Sequence, residues 1–141
     1  MEKLSYFGRG QNESYSDRIL SAPLGVYQTN VSDEHFAFIP PSENGGHEDT
    51  RWVRLKDQSG CQVSIASQCP FHFDAHHSRI ADYQSAGHDH ELVRRDETVV
   101  HIDAAHGPIG GDMAWSTAMP EKFRVAGGDY HLEVTIRAEN T

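Results

Sequence analysis

The sequence predicts an all-β chain, a β-sandwich folded as one domain, and three observations carry that reading. Residues 51–66 alternate apolar and polar on both sides of the polar turn Asp57-Gln58-Ser59-Gly60, the pattern of a hairpin with one buried face. About seven short segments of strand character follow one another at regular spacing with turn formers between them, as sandwiches require. Only one stretch, residues 78–85, has the character of a helical turn, with Ser78 as its expected cap.

Taken in order, residues 1–25 are rich in turn formers, among them Gly8, Gly10, Asn12, Ser14, Asp17, Pro23 and Gly25, with Tyr6-Phe7 ending a short strand. Residues 26–31 and 35–39 read as strands; Pro40-Pro41 stops the second, and Glu43-Asn44-Gly45-Gly46 is a turn signal. In the hairpin, Val53 and Leu55 oppose Cys61, Val63 and Ile65 as the inward set. Residues 71–75 alternate again, 98–104 form a further strand, and 129–137 close the chain with Tyr130, Leu132, Val134 and Ile136 on one face. Neither a repeat nor a linker divides the 141 residues.

Composition excludes several functions. At 141 residues the chain is too short for a barrel enzyme of roughly 250 residues. A formal net charge of −9 argues against nucleic acid and anionic membranes, which select basic faces. Neither a membrane-spanning apolar run nor a leader-like hydrophobic segment is present. Cys61 and Cys69 could pair, but two cysteines make no disulfide framework, and a reduced, cytoplasmic setting is expected.

Ten histidines invite a metal reading. His72, His76 and His77 cluster, His88-Asp89-His90 is an HxH pair, and His101 and Asp103 lie two apart on a strand, hence on one side. The HxH lacks the following glutamate of a cupin site, those positions being Val93 and Arg94. Ordinary hydrogen-bonded imidazoles explain these residues, and the chain is expected to hold neither metal nor catalytic residue. Glu13, Asp17, Glu43, Asp74, Asp96, Glu97, Asp103 and Asp112 sit in or beside turns, where carboxylates usually cap backbone amides. Arg9, Arg18, Arg51 and Trp52 read either as ligand contacts or as pins between loops, with Asp17-Arg18 and Glu43 as the expected pinning partners. Arg94-Arg95-Asp96-Glu97 reads as a solvated turn.

The segment Gly107-Pro108-Ile109-Gly110-Gly111-Asp112-Met113-Ala114-Trp115 cannot coil into a helix or pair along a ladder. An indole at the tip of such a loop either plugs a neighbouring core or stands where a flat, partly apolar ligand such as a sugar stacks.

Several segments together resemble one family. The stretch from Tyr6 to Arg18 looks like the Y-x-G-R-G-P-x-E-N-Y-x-D-R signature of the small-chain module of glycoside hydrolase family 2 β-galactosidases. Pro41-Ser42-Glu43-Asn44-Gly45 with Thr50-Arg51-Trp52, His88-Asp89-His90, residues 95–99 with His101-Ile102-Asp103, the loop ending at Trp115, and Pro120-Glu121 match further segments in the same order. Gln11 and Ser14 replace the usual proline and asparagine, and Asp112-Met113-Ala114-Trp115 replaces D-D-S-W.

The resemblance implies that residues 1–141 are the C-terminal half of that module, part of a galactose-mutarotase-like supersandwich. By the same resemblance Trp115 contacts the sugar and is held by Gly110, Gly111 and Asp112. Chemistry, with its Mg and Na, would belong to a TIM-barrel catalytic chain or domain, the expected partner, acting on a β-galactoside. An isolated chain with bare sheet edges is expected to self-associate as a homo-oligomer. The alternatives are a stand-alone carbohydrate-binding or mutarotase-like protein and a small metal-dependent enzyme that uses the histidine clusters.

Overall fold

A computed structural model describes residues 1–111 and 119–140; Asp112 and Trp115 lie outside the described residues. The strands are β1 (Lys3–Arg9), β2 (Leu24–Asn30), β3 (His47–Lys56), β4 (Cys61–His76), β5 (Val99–Asp103) and β6 (Thr135–Asn140), with one short helix, α1 (Ile80–Ser85). They form one antiparallel sheet in the order β2-β1-β3-β4-β5, with β6 also on β4. The fold is all-β, with sandwich-like layering in which loops and short helical turns cover the sheet.

The hairpin at residues 51–66 sets the centre of the sheet. Asp57 Oδ1 accepts from the backbone N–H groups of Ser59 and Cys61 and from the Ser59 hydroxyl, so the turn residues close it themselves. The strands that leave it put Val53 opposite Ile65 and Leu55 opposite Val63. A continuous row then crosses the sheet, Tyr27–Tyr6–Val53–Ile65–Ile136. Its middle is sealed, and its end on β6 is not: Val53 is 0% exposed and Ile136 is 63%. The core around that row consists of Leu4, Tyr6, Val31, Val53, Leu55, Phe71, Phe73 and Ala75.

One buried polar pair sits inside this core. His47 donates through Nε2 to Glu34 Oε2 at 2.6 Å and through Nδ1 to the Arg9 carbonyl at 2.9 Å. The imidazole packs against Tyr6 with ring centroids 4.3 Å apart, so a polar residue fills a core position with both nitrogens satisfied.

Three expectations change. Residues 35–39 alternate like a strand but pair with no neighbour among the described residues; Phe36 and Phe38 stack on each other instead, and Phe36 N–H donates to Asn44 Oδ1. The final strand begins at Thr135 and not at residue 129, and all six of its residues are exposed. The segments 61–66 and 71–75 are one sixteen-residue strand. Its outer edge is divided, residues 61–66 pairing with β6 and 72–76 with β5, and Pro70 falls in the interval between, where a missing N–H costs no ladder bond.

The helical turn forms as α1, but Arg79 is its cap, with Asp82 accepting from the Arg79 N–H at 2.8 Å; Ser78 donates instead to the Val93 carbonyl. The run 94–97 is exposed at Arg94, Asp96 and Glu97, as a solvated turn would be, but its charges are paired. Arg95 forks onto both oxygens of Asp82 at 2.6 Å, Arg94 reaches Glu2, and Glu97 pairs with Arg79. Cys61 and Cys69 are free thiols.

Candidate functional site

Strand alternation builds the site. Phe71, Phe73 and Ala75 of β4 face the core, so His72, Asp74 and His76 face the other way, and all six are buried. On β5, His101 and Asp103 share that second face, as their spacing predicts. Register then pairs unlike groups across the two strands: His72 opposite Asp103 and Asp74 opposite His101. His101 Nδ1 donates to Asp74 Oδ1 at 2.8 Å, and His72 Nδ1 donates to Asp103 Oδ2 at 3.3 Å. Acid and base thus alternate between strands, and like charges avoid each other. The bond to Asp74 raises the His101 pKa, and the bond from His72 lowers that of Asp103. Burial lowers His76, whose Nε2 donates to the Asn44 carbonyl at 2.8 Å.

The loop after β5 covers this face. His106 lies on His72 with ring centroids 3.9 Å apart, and Tyr15 packs against both rings. His106 Nδ1 donates to the Gly107 carbonyl at 2.8 Å, and its Nε2 donates to Glu43. Burial alone would lower the His106 pKa, but the Glu43 carboxylate outweighs it and the net shift is upward; the same bond lowers Glu43. Burial also pushes the Tyr15 hydroxyl up, with Glu13 beside it adding to the effect. Close by, Gly46 has no room for a side chain, since a Cβ there would meet His72 Nε2 at 2.2 Å. An open cavity of about 420 Å³ lies over the face, its lining including Glu43, Asp74, His76, Tyr83, His101 and His106. Within it Glu43 is paired with His106, and Asp74 with His101.

The base of the glycine-rich loop is clamped from a distant segment. Gly110 N–H donates to Asp17 Oδ1 at 3.0 Å, and Arg18 Nη1 donates to the Gly110 carbonyl at 2.9 Å. Consecutive side chains thereby take both backbone polar groups of one residue, one from each of the peptide units that flank it. A Cβ at Gly110 would sit 2.8 Å from Asp17 Oδ1 and 2.9 Å from Arg18 Cγ, so only glycine permits the approach. Gly111 lies beside it, 3.5 Å from Arg18 Cδ by the same construction.

Of the residues expected to bind substrate, Gly110 and Gly111 are placed at this clamp; Asp112 and Trp115 are outside the described residues. Arg9 and Arg18 do pin loops, though not to the expected partners, whereas the buried Nη1 of Arg51 has no hydrogen-bond partner among the described residues. Arg9 pairs with Asp49 at 2.6 Å and donates to the carbonyls of Ile19 and Ala22, while Arg18 takes Gly110. Trp52 lies under the Arg54 guanidinium at 4.5 Å. Glu13 caps the Gly45 N–H, as turn carboxylates are expected to. His88 and His90 stack on each other at the surface, and Asp89 between them accepts from His35 at 2.7 Å. Tyr83 and His106 of the cavity lining escaped the sequence reading, as did Glu48, which offers a ligand atom within 4.8 Å of His72 and His106. The available signal for His106 was its position directly before Gly107-Pro108.

Comparison with known proteins follows the same path as these motifs. The family described as the β-galactosidase small chain matches residues 1–136. The chain is 33% identical over 136 residues to a β-galactosidase of Vibrio cholerae, covering 96% of this chain and 13% of that protein. It is 31% identical over 140 residues to one of Streptococcus thermophilus, covering 97% and 14%, and 33% identical over 138 residues to one of Aeromonas hydrophila, covering 96% and 13%. The chain thus spans about 13% of the length of these relatives. By motif order, fold and this match, the chain belongs to the β-galactosidase small-chain family.

Proposed function

We propose that the chain is a non-catalytic part of a β-galactosidase that completes the pocket in which terminal β-D-galactosides are hydrolysed, with Trp115 against the sugar. The observation that carries this reading is the double hold of Asp17 and Arg18 on Gly110. It fixes the backbone five residues before the indole, and a side chain that must meet a ligand outside its own core needs such an anchor. An indole face on the C–H face of a galactosyl ring adds binding energy without taking part in bond breaking.

On this reading the acid/base and nucleophile carboxylates, with any Mg and Na, sit on a TIM-barrel partner chain or domain. The exposed strand β6 and the apolar residues Leu20, Val26 and Ile136 beside the sheet edges are surfaces for docking to that partner, or for self-association when the chain is alone. The setting is cytoplasmic. Among the described residues no helix is long and apolar enough to cross a membrane.

The test is hydrolysis of a chromogenic β-galactoside by the purified chain alone, and then mixed with a catalytic chain from the same source that lacks this segment. Activity is expected only in the mixture. Activity of the chain alone would overturn the reading. Saturable galactose binding by the chain alone at about millimolar or tighter would favour a stand-alone sugar-binding protein instead.

A further inference from the structure

Glu48, His72 and His106 meet where β3, β4 and the loop after β5 converge. One ligand atom from each lies within 4.8 Å of the others. The wider polar ladder is internally satisfied, but two atoms here are not. His72 is 2% exposed, and among the described residues its Nε2 has no hydrogen-bond partner, nor does the buried Oε1 of Glu48. An unpaired imidazole nitrogen and an unpaired carboxylate oxygen, both taken out of water, are destabilising, and a cation between them would satisfy both.

The second layer is already that of a metal ligand. His72 gives its Nδ1–H to Asp103, which leaves the Nε2 lone pair for an ion and holds the ring in place, as carboxylates behind ligating histidines do. His106 gives its Nδ1–H to the Gly107 carbonyl, so Nε2 is the nitrogen that can exchange its proton, now shared with Glu43, for an ion. Two imidazoles and one carboxylate form a donor set suited to zinc, with a fourth position left for water.

We propose that Glu48, His72 and His106 bind one Zn²⁺ ion that cross-links β3, β4 and the base of the glycine-rich loop. This revises the expectation that the chain holds no metal of its own, and it stands independently of the β-galactosidase reading. The bound ion ties the loop that precedes Gly110 to the two central strands, adding a second anchor to the Asp17–Arg18 clamp.

The test is calorimetric titration of ZnCl₂ into the full chain after chelator treatment and dialysis. About one equivalent should bind with a Kd below ~1 µM, with a raised thermal midpoint. Glu48→Gln, checked for native circular dichroism, should bind at least ~100-fold more weakly, and Asp103→Asn, behind His72, about 10–100-fold more weakly. His90→Ala, on the exposed HxH pair, should bind as the parent does. Absence of uptake, unchanged affinity in folded Glu48→Gln or in Asp103→Asn, or loss of uptake in His90→Ala would each overturn the proposal.

Discussion

Asp17 and Gly110 are joined by a 3.0 Å hydrogen bond across 93 positions of sequence, and Arg18 holds the same glycine from its carbonyl side. The conspicuous acidic-basic pair near the start of the chain therefore serves the glycine-rich loop near its end. Removing either side chain frees one polar group of Gly110 and leaves the sheet untouched. In the assembled enzyme, Asp17→Ala should lower kcat/KM for a β-galactoside by about 10- to 100-fold, since small misplacements of a positioning group cost that much. The thermal midpoint of the chain should move little, and a large drop in that midpoint would assign the clamp to stability instead.

Trp115→Ala separates the two uses of an indole on such a loop. A residue that meets substrate should impair the assembled enzyme while the isolated chain keeps its circular dichroism and solubility. A variant that collapses or precipitates would show that the indole belongs to a core. A rise in KM and a fall in kcat would distinguish uniform sugar binding from contacts made in the transition state.

The buried pair His47–Glu34 gives the clearest stability prediction. Their side chains are 0% and 6% exposed, and Glu34→Ala would leave an imidazole N–H unpaired inside an aromatic cluster. The expected loss is about 3–5 kcal/mol, read from the denaturant midpoint. Truncation of the exposed Glu121, which pairs with Arg124 at 3.5 Å, should fall within about 0.5 kcal/mol of the parent.

Acid should weaken the fold through two carboxylates. Burial alone would raise Glu2, but hydrogen bonds from Ser32 and the neighbouring His77 bring it down from 4.5 to about 2. The fork from Arg95 brings Asp82 from 3.8 to about 2. Both folded values lie below the ordinary ones, so their stabilisation is complete above that ordinary range and is lost as pH falls toward 2. Urea midpoints should decline over that window, and Asp82→Asn should flatten the decline.

Gly46→Ala tests the packing of the second face. Its methyl would enter the space of His72 Nε2 and Tyr15, and overpacking of this kind costs about 1–3 kcal/mol. Native-like stability in the variant would mean that the His72 ring has room to move aside.

The hairpin at residues 51–66 was legible because period two and a polar turn are both local signals. So was the shared face of His101 and Asp103. What lay across the chain was not legible: no spacing rule connects Asp17 with Gly110, or Glu48 with His106. The segment 35–39 misled because alternation marks a strand only when a neighbour is available, and the double phenylalanine here found a partner in itself. Pro70 hid the continuity of β4, because a proline counts against a strand until the pairing on either side of it is known.

The arrangement of β4 also bears on the order in which the protein can assemble. Its turn closes within a few residues through Asp57, so β3 and β4 can meet with little loop-closure entropy, and β1 and β2 are synthesised before them. The outer edge of β4 must wait: β5 returns only after residues 77–98 are made, and β6 only after 104–134. A nascent chain would therefore carry a completed inner sheet beside an open strand edge, with His72 and Asp74 unpaired until β5 arrives. This interval is when the chain is most exposed to pairing with the wrong neighbour.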